Sequence, residues 1–123
     1  MNSKKSSPSP EPTPTIIRIW RGWTSKENAI PFQHILTTKA IPDIEKNRPE
    51  GCLSIQLLKR EIGDEVEFTT IMQFQSVAAI KAFAGDDYEA AHVDSSVKPL
   101  LLRYDQRVSH GETLYSKVWE KSK

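Results

Sequence analysis

The feature that most constrains the fold is a pair of alternating segments joined by a two-residue turn. Apolar and polar residues alternate over 53–57 and again over 66–74. Alternation with a period of two is typical of β-strands that have one covered face. Between the two segments lies Gly63-Asp64, a dipeptide that suits a type I′ or II′ turn. The sequence therefore predicts a β-hairpin here.

Helical segments lie on both sides of this hairpin. Residues 24–27, Thr-Ser-Lys-Glu, have capping-box spacing and open a helix in which Pro42 predicts a kink or a break. Ser76 can cap a second helix that Gly85 ends. A strand over 16–23 comes first, and a short helical piece around 97–102 precedes a last strand from about 103 to 115. The order β-α-β-β-α-β predicts an α+β, ferredoxin-like fold, with a four-stranded antiparallel sheet and helices on one face.

The first strand carries large apolar groups on both faces. Ile16 and Trp20 lie on one face, whereas Ile17, Ile19 and Trp23 lie on the other. The helices cover only one face of such a sheet, so the other face needs a second cover. A second copy of the same sheet is the simplest one, and we therefore expect a face-to-face homodimer.

Composition excludes several classes of protein. The 17 basic and 16 acidic residues give a net charge of +1, without the basic surplus typical of nucleic-acid binding. No apolar run approaches the roughly 20 residues of a membrane span. The single Cys52 cannot form an internal disulfide and lies in an apolar strand, which favours a buried thiol in a reducing compartment. We expect a cytoplasmic protein without nucleic-acid or membrane partners.

The chain divides into three parts by composition. Residues 1–14 are rich in proline and serine and should be a disordered tail that folding does not require. Residues 15–117 form the one folded domain, and residues 118–123 a polar C-terminal end.

Four segments together resemble a known family. They are IIRIWRGWTSKENA, the hairpin LLKREIGDEVEFTTIMQF, the block AIKAFAGDDYEAAHV and the strand LLRYDQRVSH. Over roughly residues 15–112 the chain resembles the antibiotic biosynthesis monooxygenase-like group of the dimeric α+β barrel superfamily. The resemblance implies sheet-to-sheet dimers, with a pocket between the sheet and the helices of each subunit. It also implies oxygenases that use no flavin or metal, and that take a proton from an aromatic substrate before it reacts with O₂.

Such chemistry needs an apolar cavity, a proton acceptor and donors for the developing oxyanion. His92 is the candidate catalytic residue. The candidates for binding the substrate are Arg18, Trp20, Trp23, Phe74 and Tyr104. Each tryptophan could instead lie in the core or the dimer interface. Each arginine, including Arg21, could instead form a surface ion pair.

His92 ends the segment GDDYEAAH, which reads as a very short helix capped by Asp86. A structural histidine stacked on Tyr88 is one interpretation, and a proton acceptor is another. The haem-degrading branch of the family has an alanine-histidine pair there, but it also needs a tryptophan where this chain has Phe74 and an asparagine in the first strand. We therefore expect no cofactor, no metal and no haem complex ligated by His92.

These observations favour a homodimeric, cofactor-independent monooxygenase that acts on a small aromatic or quinol-like compound. The alternative is a non-catalytic ligand-binding or interaction protein on the same scaffold, and haem degradation is a distant third. An RNA-recognition module shares the element order, but EVEFTTIMQF lacks the basic-glycine start of its RNA-binding strand.

Overall fold

The computed structural model describes residues 14–121, so the prediction for the tail, residues 1–14, falls almost entirely outside the described residues, as do residues 122 and 123. The elements are β1 (Ile16–Ser25), α1 (Lys26–Ile35), a π-helical turn (Leu36–Ala40), α2 (Ile41–Lys46), β2 (Cys52–Ile62), β3 (Glu65–Phe74), α3 (Val77–Ala84), a 3₁₀ turn (Lys98–Leu100), β4 (Leu101–Tyr104) and β5 (Ser109–Glu112). The five strands form one antiparallel sheet in the order β2-β3-β1-β4, and β5 pairs with β1 beside β4. Helices cover one face of this sheet, which confirms the α+β, ferredoxin-like prediction.

The predicted hairpin is confirmed and is longer than the alternation indicated. β2 and β3 pair from Cys52 to Ile62, and the turn residue Gly63 has φ of 57°, as a primed turn requires. Because Ile55 pairs with Met72, both side chains point to the helix-covered face of the sheet. This face carries the core and the cavity described below.

The first helix begins within one residue of the start that the capping-box spacing predicts, with Ser25 rather than Thr24 as its N-cap. The Ser25 side chain accepts a hydrogen bond from the Asn28 backbone N–H at 3.1 Å. Pro42 has no N–H to donate, and the chain accommodates it with the π-helical turn, which the Ile41 N–H closes on the Leu36 carbonyl. The break near Pro42 is thereby confirmed.

Three local predictions are wrong. The last strand is divided into β4 and β5 by a loop over 105–108, and both halves pair with β1. The helical piece near 97–102 is only a 3₁₀ turn that leads directly into β4. Residues 85–92 form turns and one isolated bridge rather than a helix. The loop over 105–108 explains the first and the third error, because it pairs with residues 89–91.

The core consists of two clusters on the helix-covered face. One joins Phe32 of α1 to Phe68 of β3, whose rings meet edge-on at 4.9 Å. The other joins Phe74 and Met72 to Ile80 of α3 and contains Cys52. Burial raises the pKa of the Cys52 thiol, which fits a structural residue. None of the helices within residues 14–121 is long and apolar enough to cross a membrane.

Gly51 provides a test of this packing. It has φ of 85°, and a Cβ there would lie 2.6 Å from the Cβ of Ala79 on α3. We expect Gly51→Ala to lower the free energy of unfolding by about 2–4 kcal/mol, through backbone strain plus the clash. Chemical denaturation measures the change.

Gly63→Ala is the matched control. Gly63 also has a positive φ, but a Cβ there meets no atom within 4 Å. This variant should therefore lose only the backbone share, about 1 kcal/mol. Equal losses in the two variants would contradict the close packing of α3 on Gly51.

Candidate functional site

A cavity of about 470 Å³ lies between the helix-covered face of the sheet and the elements that pack over it. Its floor is β1, β2 and β3, and its walls are α1, the π-helical turn, the end of α3 and residues 91–97. A volume of this size is typical of sites that hold small organic ligands. The cavity therefore lies where the family resemblance predicts a pocket.

The lining is mainly apolar, with few polar groups. The cationic side chains on it are Arg18 and Lys39. The exposed side chains of Asp43, His92 and Asp94 also line it. The larger apolar side chains of the lining are Trp20, Phe32, Ile35, Leu36, Ile41, Ile44, Ile55, Met72 and Phe83.

Arg18 brings a buried positive charge to the cavity floor. Only 7% of its surface is exposed, and burial lowers the pKa of its guanidinium. Its Nη1 donates hydrogen bonds to the Tyr88 carbonyl at 2.6 Å and to His110 Nε2 at 3.1 Å. The guanidinium also lies over the Phe83 ring, 5.7 Å from its centroid. Among residues 14–121, no carboxylate forms a salt bridge with it.

His110 supports Arg18 from the neighbouring strand β5 and does not itself line the cavity. Because Arg18 can only donate, His110 Nε2 must accept, and the imidazole is neutral with its proton on Nδ1. Burial and the Arg18 charge both lower the pKa of His110, which keeps the ring neutral. The Tyr88 ring packs edge-on against it at 5.2 Å.

Residues 85–92 form a strap that holds the Tyr88 carbonyl and His92 in place. Gly85 ends α3 with φ of 93°. Arg107 then binds Asp87 through two hydrogen bonds of 3.1 and 3.2 Å, and Glu89 through one of 3.2 Å. These contacts with a distant arginine hold residues 87–89 in turns, and the helix predicted to start at Asp86 does not form. The interpretation of His92 as the end of a capped helix fails with it.

His92 is the last residue of this strap and lies at the rim of the cavity. Its Nε2 lies 2.9 Å from the Ala84 carbonyl oxygen, so Nε2 carries a proton and donates it. The lone pair of a neutral His92 is therefore on Nδ1, which is available to accept a proton. His92 does not stack on Tyr88 in an aromatic pair, because the ring partner of Tyr88 is His110.

The structure brings Arg18, Trp20 and His92 together on one cavity. The Trp20 indole donates to the Asp105 carbonyl at 3.2 Å, which fixes the ring, and it packs against Tyr104 at 6.2 Å between centroids. Tyr104 lines a second, more open hollow that shares residues 91–94 with the first. His92 borders both spaces.

Trp23 and Phe74 lie elsewhere. Trp23 is on the opposite face of the sheet, where the Arg103 guanidinium stacks on its ring at 4.8 Å. Phe74 is fully buried in the core and contacts Phe83, a lining residue, at 5.5 Å between ring centroids. Phe74 thus supports the cavity wall without lining it.

Sequence reasoning missed several residues of the lining. Phe83 lies on the apolar side of α3, and its period-3.6 spacing does not tell a core side chain from a cavity wall. Lys39 and Asp94 stand in polar surroundings that resemble ordinary surface. Thr70 on β3 was recognised only as one residue of an alternating strand. These residues become neighbours only through long-range packing, which leaves no local signal.

No cluster of three or more histidine, cysteine or acidic side chains suited to a metal ion occurs within the described part of the chain. The polar groups of the cavity are Arg18, Lys39, Thr70, His92, Ser96 and a few acidic groups at the rim. Within this set the buried Arg18 can bind an acidic group and His92 can accept a proton.

Comparison with known proteins shows the fold. No family model and no curated protein sequence matches the chain. Among solved structures, a candidate antibiotic biosynthesis monooxygenase from Bacillus cereus is similar with a TM-score of 0.62 at 15% identity, over 88% of this chain and 99% of that one. A protein from Shewanella oneidensis is similar with a TM-score of 0.57 at 18% identity, over 82% of this chain and 92% of that one. The haem-degrader MhuD from Mycobacterium tuberculosis, solved with two haems in its active site, is similar with a TM-score of 0.53 at 18% identity. The similarity extends over 84% of this chain and 99% of that one.

These similarities confirm, at the level of fold, the resemblance inferred from the sequence. The chain shares the fold of these three solved structures over 82–88% of its length. Because one fold supports several functions, the activity has to be argued from the site.

Proposed function

We propose that this protein is a homodimeric monooxygenase that needs no flavin or metal and oxidises a small aromatic or quinol-like compound. The observation that carries the proposal is the apolar cavity in which a buried cation, Arg18, and a proton acceptor, His92, line the same space. The Bacillus cereus protein of the same fold, a candidate antibiotic biosynthesis monooxygenase, supports it by analogy.

The chemistry follows from these groups. The substrate loses a proton from an acidic C–H or O–H group to His92 Nδ1, and the exposed imidazole passes it to water. Arg18 stabilises the resulting anion on the apolar floor of the cavity. The anion gives electrons to O₂, and the peroxide that forms loses water. A CH₂ group becomes C=O, one oxygen atom of O₂ enters the product and the other leaves as water.

The homodimer is proposed from the open face of the sheet. Ile19 on β1 pairs with Ile71 on β3, and Ile17 lies beside them on the same face. Leu58 of β2 lies on this face too and is 48% exposed. Several partly exposed large apolar side chains on one sheet face are typical of a protein interface. A second copy would cover it, as the sequence predicts.

Oxygen consumption tests the proposed activity. Purified protein, freed of metals by a chelator and of flavin by gel filtration, is mixed with a 1,4-dihydroxynaphthalene or anthrone probe, and O₂ uptake is recorded. We expect uptake well above the uncatalysed rate, and saturation with substrate. Binding of both probes without O₂ uptake would favour the alternative, a non-catalytic ligand-binding protein.

That alternative has its own support, since the cavity has no buried carboxylate or imidazole on its described lining and His92 lies only at the rim.

Haem degradation has less support from these residues. The Nε2 atom of His92 is engaged with the Ala84 carbonyl, and Phe74 is fully buried away from the cavity. Only the histidine of the haem-degrading pattern is thus near the space that haem would occupy. The residues do not fit the haem group, and no step of the mechanism is assigned to it.

A further inference from the structure

The buried cation on the cavity floor lacks the partner that such a group usually has. A buried arginine is normally paired with a carboxylate, since an unpaired buried charge is costly. Arg18 has no such salt bridge within residues 14–121. The acidic side chains of the neighbouring strap, Asp87 and Glu89, bind Arg107 instead. The Arg18 charge is therefore left for a partner that residues 14–121 do not supply.

The orientation of Arg18 shows where that partner must come from. Both of its hydrogen bonds within the described part use Nη1, which fixes one edge of the guanidinium against the Tyr88 carbonyl and His110. Within residues 14–121, the fully buried side-chain nitrogen and oxygen atoms that lack a hydrogen-bond partner are Thr24 Oγ1 and His110 Nδ1. The Nε and Nη2 atoms of Arg18 are not among them, although they form no hydrogen bond with the described residues, so both atoms retain some exposed surface. Because Arg18 lines the cavity, these N–H groups can be reached from it.

The support behind Arg18 holds the guanidinium rather than neutralising it. The neutral His110 ring accepts from Nη1 and adds no negative charge. The Phe83 ring on the other side offers its π-face. A guanidinium fixed at one edge and free at the other can form two parallel hydrogen bonds with a planar anionic group. The surrounding Trp20, Phe32 and Met72 side chains suit a flat apolar body.

We infer that the ligand of this cavity is a flat aromatic monoanion, a carboxylate or a phenolate, whose anionic oxygen pairs with the free edge of the Arg18 guanidinium. This inference rests on the proposed function, because it names the substrate class of the same site. It also assigns Arg18 as the residue that selects anionic over neutral aromatic compounds. The deprotonated substrate of the proposed reaction is an anion of this class.

Binding of a matched pair of probes tests the inference without turnover. 2-Naphthoate and 2-naphthamide share ring and shape and differ in charge. Titration calorimetry at neutral pH should give a dissociation constant at least about tenfold lower for 2-naphthoate. Arg18→Met should abolish the difference while 2-naphthamide binds as before. Equal binding of the two probes by the unmodified protein would overturn the inference.

Lys39→Met provides the comparison variant, since Lys39 is the other cationic side chain on the described lining and lies at the rim. The preference for 2-naphthoate should persist in it. A preference that is lost in Lys39→Met and kept in Arg18→Met would assign anion binding to the rim and overturn the role of Arg18. If Arg18→Met does not fold, Arg18→Lys replaces it, because it keeps the charge and loses the paired N–H edge. A reduced preference then supports the inference, and an unchanged one contradicts it.

The two proposals fail in distinguishable ways. A clear preference for 2-naphthoate that depends on Arg18, without any O₂ uptake, would retain the anion site and remove the oxygenase. O₂ uptake with a neutral compound, without any preference between the probes, would retain the oxygenase and remove the anion site.

Discussion

Ile71→Lys should convert the protein from a dimer into monomers of 14.0 kDa. Ile71 lies on the open face of the sheet, paired with Ile19 in the middle of β1 and β3. In a symmetric sheet-to-sheet dimer the substitution buries two ammonium groups in one interface. An unpaired buried charge costs roughly 3–5 kcal/mol, so two of them should weaken association by several orders of magnitude. Light scattering coupled to gel filtration measures the mass.

The matched control is the same substitution at Ile30. This side chain is 76% exposed on α1, on the helical side of the molecule. Ile30→Lys should leave the mass at twice that of one chain. A mass of one chain for the unmodified protein at micromolar concentration would refute the dimer, and an Ile71→Lys protein that stays dimeric would place the interface elsewhere.

His92→Gln should lower kcat for the oxygenation about 10²- to 10⁴-fold, the usual contribution of a general base. A glutamine amide can still donate to the Ala84 carbonyl, which His92 Nε2 now contacts, but it cannot accept the proton. The strap and the cavity should stay intact, so KM and thermal stability should change little. Steady-state O₂ uptake and circular dichroism measure the two quantities.

His34→Gln serves as the control, because His34 is an exposed residue of α1 that does not line the cavity. It should retain full activity. If His92→Gln also retains full kcat, His92 is a rim residue and another group or water takes the proton.

In a haem titration we expect no saturable one-to-one Soret shift that depends on His92. Such a shift, lost in His92→Ala, would promote haem chemistry above the proposed reaction.

Elements specified by neighbouring residues were predictable from the sequence. The hairpin was predictable, because the alternating residues and the Gly63-Asp64 turn lie within one continuous segment. The start of α3 was predictable, and that of α1 was predictable to within one residue, because Ser76 and Ser25 each cap the N–H group three residues onward. In each case a local hydrogen bond or turn conformation determines the structure.

The candidate site depended on contacts across the chain, and there local reasoning was insufficient. Asp86 and Glu89 have capping spacing, but Arg107, 18 residues beyond Glu89, binds the strap instead. Alternation placed Trp20 and Trp23 on opposite faces without telling which face the helices cover. The pairing of His110 with Arg18 joins residues 92 positions apart, and only the sheet register of β5 on β1 reveals it.

Isotope labelling of the product tests the central claim most directly. The metal-free and flavin-free dimer is supplied with a substrate that it turns over, under dioxygen labelled with the heavy oxygen isotope, and the product is analysed by mass spectrometry. The proposed reaction predicts one labelled oxygen atom in each product molecule, at a rate that falls sharply in His92→Gln. A product without the label, or turnover that requires added flavin, metal or haem, would contradict the assignment of this cavity as a cofactor-independent monooxygenase site.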